Sequence, residues 1–242
     1  MFDAPTVEVL NQHFPTPALL GVMSSPALPE YMRERFVLAV WTRSWLLKDD
    51  ATLNKLTPEL INYHPDFETL LNRAVNAKTP AARENALFFF VLKNPILNPY
   101  IPDGTGRANN EQDQFADDNW WCAPYDVETD DVGNQTAAKL PKRPAFLTPS
   151  QTSAAQAERK RLADIGDAPK FLGEKVMAWA RRSPLDKRIP EALYIVIEAN
   201  GWTKYGCGNN EELRDQALKY LKAKYPGNEF VKKLEDEEAG NQ

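Results

Sequence analysis

The two cysteines of this chain are the residues with the most distinctive chemistry. Cys122 ends an acidic and aromatic run over residues 117–122, and Cys207 ends a second aromatic run over residues 202–207. Both lie at the edges of helical patterns. A cysteine pair can form a disulfide, bind a metal ion or supply a nucleophile. The 242 residues contain no other cysteine, so any sulfur chemistry depends on these two positions.

Of these chemistries, the sequence favours a disulfide. A bond between Cys122 and Cys207 would close a loop of about 85 residues and stabilise the fold by roughly 2–4 kcal/mol. Zinc would need further ligands at close spacing, but the two histidines, His13 and His64, are distant in sequence. A nucleophilic cysteine would need a base, for which the fold could supply His64. We expect a disulfide rather than two free buried thiols, and no metal or cofactor.

An adjacent pair of tryptophans precedes Cys122. Because neighbouring residues point in different directions on any regular element, we expect one indole in the core and the other near the surface. The pair either anchors a long loop onto the helices or forms a stacking platform for a sugar, peptide or aromatic ligand. We favour the anchor, since long ordered loops need apolar contacts. The candidate binding residues are Asp117, Asp118, Asn119, Trp120, Trp121, Trp202 and Tyr205.

The acidic residues around this motif do not match a known type of site. Residues 103–131 contain nine acids and one base, Arg107, which gives the segment a net charge of −8. An EF-hand starting at Asp126 is excluded, because Asp131 stands where glycine is required and Ala137 where glutamate is required. Consecutive aspartates at 117 and 118 cannot face each other across a cleft, as glycoside hydrolysis would require. We expect a solvated acidic loop, with residues 127–140 mobile.

Composition narrows the possible partners and compartments. The net charge is −5, from 29 basic and 34 acidic residues, which disfavours non-specific binding to nucleic acid. No apolar run approaches the roughly 20 residues that a membrane span requires. Two cysteines fit a periplasmic or envelope protein with one disulfide, with the cytoplasm as the alternative. Residues 6–20 look like an internal part of a longer protein.

The periodicity of the chain is helical and predicts an all-α fold. We expect a helix over residues 29–48 that is buried on one side, and shorter helices over residues 52–62 and 66–78, punctuated by Thr57-Pro58 and His64-Pro65. Thr79-Pro80 and Thr148-Pro149 each begin a helix. Three segments follow: an N-terminal helical region (1–94), a long acidic Pro- and Gly-containing loop (95–147), and C-terminal helical hairpins (148–242).

The C-terminal hairpins resemble tetratricopeptide repeats. The resemblance is carried by residues 183–193 and 217–228, in which a Tyr-Pro turn follows a helix, and by Phe171-Leu172-Gly173, which resembles the Leu-Gly of the first repeat helix. The likeness covers residues 165–235 and is greatest to the repeats of bacterial cell-envelope proteins. The Asn-Trp-Trp-Cys and Tyr-Gly-Cys elements also resemble the C-terminal region of a group of uncharacterised bacterial proteins. The resemblance implies a solenoid of stacked antiparallel helix pairs and an envelope location.

From these features we expect a non-enzymatic scaffold. Helical solenoids bind through an extended concave surface, so a protein or peptide partner in an envelope-associated assembly is the predicted ligand. The alternative is an α-helical carbohydrate-binding module or enzyme that uses Trp120, Trp121 and the acidic loop. A shallow groove lined by polar and aromatic residues would favour the scaffold. A deep pocket with a carboxyl of strongly raised pKa would favour the alternative.

Overall fold

The part of the chain that the structure describes is α-helical apart from one small β-ribbon. A computed structural model describes residues 3–104, 115, 119–123, 127–129, 135–137, 141–201, 207 and 210–240, and these form eleven α-helices. The helices are α1 (Ala4–His13), α2 (Thr16–Met23), α3 (Glu30–Leu47), α4 (Asp50–Tyr63), α5 (Glu68–Val75), α6 (Pro80–Lys93), α7 (Pro149–Ile165), α8 (Ala168–Arg182), α9 (Ile189–Ala199), α10 (Glu211–Lys224) and α11 (Glu229–Gly240). A 3-10 turn, Pro65–Phe67, precedes α5. The all-α prediction is confirmed at this level.

Proline and capping residues explain where several helices begin. Helices α6, α7, α8 and α9 each have proline in the first turn, where the missing N–H costs no intrahelical hydrogen bond. The start of α7 is a capping box. Gln151 N donates to Thr148 Oγ1 at 3.2 Å, and Thr148 N donates to Gln151 Oε1 at 2.9 Å.

Helix α4 continues through Pro58 and contains the predicted helix over residues 52–62. A proline inside a helix removes one backbone hydrogen bond. Here the neighbouring Thr57 hydroxyl donates to Leu53 O at 2.8 Å and accepts a 3.0 Å hydrogen bond from the indole N–H of Trp41 on α3. Helix α4 packs closely against α3. We attribute the continuity of α4 to these tertiary contacts, which override local preference.

The described residues divide into two compact units, each made of separate stretches of chain. The first unit comprises Met1–Asp66, Leu97–Ala108 and Ala123–Gly166. Its centre is α3, which packs against α2, α4 and α7. The prediction that α3 is buried on one side is wrong, because every residue from Phe36 to Leu46 is buried. The sequence periodicity did not predict this complete burial, because Thr42, Arg43 and Ser44 are polar. These three residues are nevertheless enclosed together with the apolar face of the helix.

The first unit also contains the β-ribbon. Strands β1 (Val127–Thr129) and β2 (Gln135–Ala137) pair antiparallel, with Val127 opposite Ala137. They fall within residues 127–140, which the sequence predicts to be mobile. The other residues of that segment lie outside the described part of the chain. Three β-branched residues, Val127, Thr129 and Thr136, favour extended backbone, a signal that the strongly acidic composition obscured.

The second unit comprises Phe67–Ile96, Asn109–Cys122 and Asp167–Gln242. Helix α9 lies at its centre and packs against α6, α8, α10 and α11, while α5 packs against α6. The rings of Phe88 and Phe89 contact the buried Trp179 ring edge-on, with centroids 6.2 and 6.1 Å apart. These contacts are compatible with stacked antiparallel pairs. The predicted division at residues 94 and 147 stays a prediction.

Candidate functional site

The cysteine motif is positioned by the start of α8. The backbone N–H of Ala168 donates a 3.0 Å hydrogen bond to the carbonyl oxygen of Trp121. This contact brings residues 120–122, which lie outside the helices, against the first turn of α8. Cys207 belongs to the connection between α9 and α10. Three stretches that are distant in sequence therefore meet at one place in the second unit.

The two cysteines predicted to pair are bonded. Cys122 and Cys207, which are 85 residues apart, have Cα atoms separated by 5.6 Å, a distance typical of disulfides. The Cys207 Sγ also lies 3.4 Å from the carbonyl oxygen of Trp121. Both cysteines are partly exposed. As disulfide sulfurs they are not nucleophiles, because nucleophilic catalysis requires a thiolate.

Both tryptophans of the motif are buried. Trp120 is 1% exposed and Trp121 is 2% exposed, and the Trp120 indole N–H donates to Phe115 O at 3.3 Å. The prediction that one indole lies near the surface is wrong. Since residues 120–122 have no regular secondary structure, neighbouring side chains are not forced onto opposite faces. Two enclosed indoles have the environment expected of an anchor, and neither offers an open ring face on which a ligand would stack.

The remaining predicted binding residues are only partly placed. Asn119 is described and half-buried. Asp117, Asp118, Trp202 and Tyr205 lie outside the described residues, so their roles stay predictions.

Asp167 is a neighbour of the cysteines that the sequence reasoning missed. A carboxylate oxygen of Asp167 and the two sulfurs all lie within 4.8 Å of one another. Asp167 occupies the N-cap position of α8 but makes no side-chain capping hydrogen bond. The sequence signal, Asp167-Ala168-Pro169, marks a helix start. It gives no indication that this carboxyl group lies beside the disulfide, because only the fold brings these positions together.

Each of the two histidines, His13 and His64, has a neighbour within the first unit. His13 Nε2 is 2.7 Å from Pro141 O, and His64 Nε2 is 3.1 Å from Glu34 Oε1. His64 follows α4 directly and forms its C-terminal cap. These positions are accounted for by local structural contacts. The hypothesis of a cysteine nucleophile with His64 as its base stays a prediction.

A second feature of the second unit is a shallow, open depression along one face of α11. Acidic, basic and aromatic side chains line it together. The lining residues are Glu229, Phe230, Lys232, Lys233, Asp236 and Glu237. We call this surface the α11 groove.

Tyr194 of α9 packs against Phe230, the aromatic residue of the α11 groove. The Phe230 ring stacks on the Tyr194 ring with centroids 5.4 Å apart, and Lys233 Nζ lies 4.4 Å from the centroid of the Tyr194 ring. The Tyr194 hydroxyl donates to Glu237 Oε1 at 3.3 Å. Burial raises the pKa of Tyr194, and the negative charges of Glu198 and Glu237 raise it further. The ring and its neutral hydroxyl thus hold Phe230, Lys233 and Glu237 in place.

A small cavity in the first unit surrounds a buried arginine. The cavity measures about 30 Å³, and Arg43, Gln12 and Glu158 contribute to its wall. Arg43 is 2% exposed, and burial lowers the pKa of its guanidinium, an effect opposed by the charge of Glu158. Its donors reach Pro99 O at 2.6 Å, Phe14 O at 3.3 Å and Asn11 Oδ1 at 3.3 Å. These hydrogen bonds give the buried charge of Arg43 a structural role, because they link separate segments of the chain.

No protein-family model, curated protein or solved structure matches this chain. Among the residues that the structure describes, no helix has both the length and the apolar character that crossing a bilayer would require.

Proposed function

We propose that this protein is a non-enzymatic helical scaffold that binds an extended peptide segment of a protein partner in an envelope-associated assembly. The α11 groove is the observation that supports the proposal most directly. Charged side chains of both signs surround the exposed edge of an aromatic residue there. Such a surface suits a peptide that contributes an apolar side chain flanked by charges.

The packing around α9 supports the tetratricopeptide-like part of this proposal. A Cβ atom added to Gly173 of α8 would lie 2.5 Å from Leu213 Cδ2 of α10 and 3.1 Å from Val196 Cγ1 of α9. Gly173 belongs to the Leu-Gly element that resembles the first repeat helix, and a residue without a side chain permits this close helix approach. The Tyr225 hydroxyl donates a 2.7 Å hydrogen bond to Pro184 O, which joins the two segments that resemble repeat turns.

The disulfide supports the envelope part of the proposal. Structural disulfides persist in oxidising compartments such as the periplasm and are rare in the cytosol. The bond between Cys122 and Cys207 is partly exposed, so it would be accessible to cytosolic reductants. The bacterial envelope-protein resemblance leads to the same compartment by a separate line of reasoning.

Selection of peptides from a random displayed library would test the proposed function. Enriched peptides are synthesised with a fluorophore, and their binding to the full oxidised chain is measured by fluorescence anisotropy. The variant Lys232→Glu with Asp236→Lys exchanges the two signs of charge in the groove. We expect it to weaken binding at least tenfold, which is about 1.4 kcal/mol.

The matched control is Lys219→Glu, an exposed position on α10 that does not line the groove. We expect this variant to bind within twofold of the wild type. Failure to enrich any peptide above an unrelated helical protein would contradict the scaffold proposal. Equal binding by the charge-exchange variant would contradict the assignment of the groove.

A further inference from the structure

The disulfide and Asp167 form a cluster whose chemistry changes when the disulfide is reduced. Cys122, Cys207 and Asp167 each offer one ligand atom, and the three atoms lie within 4.8 Å of one another. All three residues are partly exposed, so solvent and small solutes have access. The Asp167 carboxylate at the start of α8 lies beside the two sulfurs.

We propose that the reduced protein binds a thiophilic divalent cation, Zn²⁺, through the thiolates of Cys122 and Cys207 and the carboxylate of Asp167. Zinc accepts sulfur and carboxylate ligands in tetrahedral geometry, and three protein ligands leave the fourth position for water. With Zn–S bonds of about 2.3 Å, tetrahedral geometry places the two sulfurs about 3.8 Å apart. The sulfurs must therefore separate after reduction, and the Asp167 oxygen starts within 4.8 Å of both sulfurs.

Reduction of the disulfide and binding of the metal require only a dithiol reductant and Zn²⁺. A dithiol reductant supplies two electrons, the bond between the two sulfurs breaks, and the reductant becomes a cyclic disulfide. Each protein sulfur is then a thiol. Binding of Zn²⁺ releases two protons to solvent, because cysteine binds the metal as a thiolate.

Electrostatics gives the reduced cluster a preference for a cation. Two thiolates beside a carboxylate would place three negative charges within a few ångströms, and like charges repel strongly at that distance. The first turn of α8 offsets this only in part, through the partial positive charge of a helix N-terminus. A divalent cation compensates two of the three charges and bonds to all three groups. In the oxidised protein neither sulfur carries a charge, so the driving force for cation binding is absent.

Cobalt(II) titration of the full chain tests this proposal, because Co²⁺ occupies tetrahedral zinc sites and reports thiolate ligands through a charge-transfer absorption band. The protein is reduced, freed of reductant without oxygen, and titrated with Co²⁺ and then with Zn²⁺. We expect a band in the reduced wild type that Zn²⁺ abolishes, and no band in the oxidised protein. Asp167→Asn should weaken Co²⁺ binding at least tenfold, whereas Asp215→Asn, an exposed position on α10, should remain within twofold of the wild type.

A melting curve of the reduced protein distinguishes binding by the fold from binding by an unfolded chain. We expect Zn²⁺ to raise the melting temperature of the reduced wild type, because a ligand that binds the folded state stabilises it. Absence of the charge-transfer band in the reduced wild type would overturn the proposal. Equal Co²⁺ affinity in Asp167→Asn would overturn it as well, and so would a melting temperature that Zn²⁺ does not raise.

Discussion

The carbonyl oxygen of Trp121 accepts a 3.0 Å hydrogen bond from the backbone N–H of Ala168, which ties the residue before Cys122 to the first turn of α8. Asp167 is adjacent to that bond in the chain, and its carboxylate is therefore held beside the disulfide. The buried tryptophans, the disulfide and Asp167 form one connected region of the second unit. The stability and the redox chemistry of the protein are consequently expected to depend on the same few residues.

Removing the disulfide should destabilise the protein. The double substitution Cys122→Ser with Cys207→Ser opens a loop of 85 residues, which increases the conformational entropy of the unfolded chain. We expect the free energy of unfolding to fall by about 2–4 kcal/mol, measured by urea denaturation. Reduced wild-type protein is the control and should match the double variant. Equal stability of the oxidised wild type and the double variant would contradict a structural role for the bond.

Replacing the buried arginine of the first unit should be strongly destabilising. Arg43→Ala would remove the side-chain donors that reach Pro99 O and Phe14 O, and one of two donors to Asn11 Oδ1. Loss of such a network, together with the cavity it leaves, costs about 3–5 kcal/mol. Lys55→Ala, an exposed position on α4, should change the free energy of unfolding by less than about 0.5 kcal/mol. Similar urea midpoints for the two variants would refute the structural role of Arg43.

Adding a methyl group at Gly173 should test the close packing of α8 against α9 and α10. Because a Cβ there would overlap Leu213 and Val196, we expect Gly173→Ala to lower the free energy of unfolding by about 1–3 kcal/mol. Gly21→Ala in α2 is the matched control, since no atom lies within 4 Å of its added Cβ. That control should stabilise the protein by about 0.5–1 kcal/mol. A stabilising effect at both positions would show that α8 has room to move.

The ion pair between Asp186 and Arg188 should make stability depend on acid pH. Arg188 donates to the two carboxylate oxygens at 3.0 and 2.7 Å, and this pairing holds the pKa of Asp186 below its ordinary value. A lowered folded-state pKa contributes stability above the unfolded pKa of about 3.9, and that stability is lost as the pH falls through the folded pKa. The stability difference between the wild type and Asp186→Asn should therefore shrink below about pH 4.

Urea denaturation at several pH values would measure this effect. Asp215→Asn, on the exposed surface of α10, is the control and should remain within about 0.5 kcal/mol of the wild type at neutral pH. A stability difference between the wild type and Asp186→Asn that is constant from neutral pH to pH 3 would contradict the assignment.

Much of the helical framework follows from local sequence signals. Helix α6 begins after the Thr79 cap and ends at Lys93, as Thr79-Pro80 and Asn94-Pro95 indicate. Helix α8 begins at Ala168, as Asp167-Ala168-Pro169 indicates. These boundaries depend on capping and proline geometry within a few residues, and such short-range rules can be applied without knowledge of the fold.

The predictions that proved wrong have a different origin, because each depends on tertiary contacts. Helix α3 is enclosed because α2, α4 and α7 surround it. Trp120 and Trp121 are both buried in a segment without regular secondary structure, where no periodicity applies. Asp167 reaches the sulfurs only once α8 has docked against residues 119–122. Within the candidate site, the sequence predicted the cysteine pair but not the carboxylate beside it.

A thiol count on the denatured protein, isolated from an oxidising compartment, tests the central structural relationship most directly. The pairing of Cys122 with Cys207 predicts no reactive thiol before reduction and two thiols after it, on a chain that remains monomeric under denaturing conditions. Two reactive thiols before reduction would contradict the disulfide and would remove the main support for an envelope location.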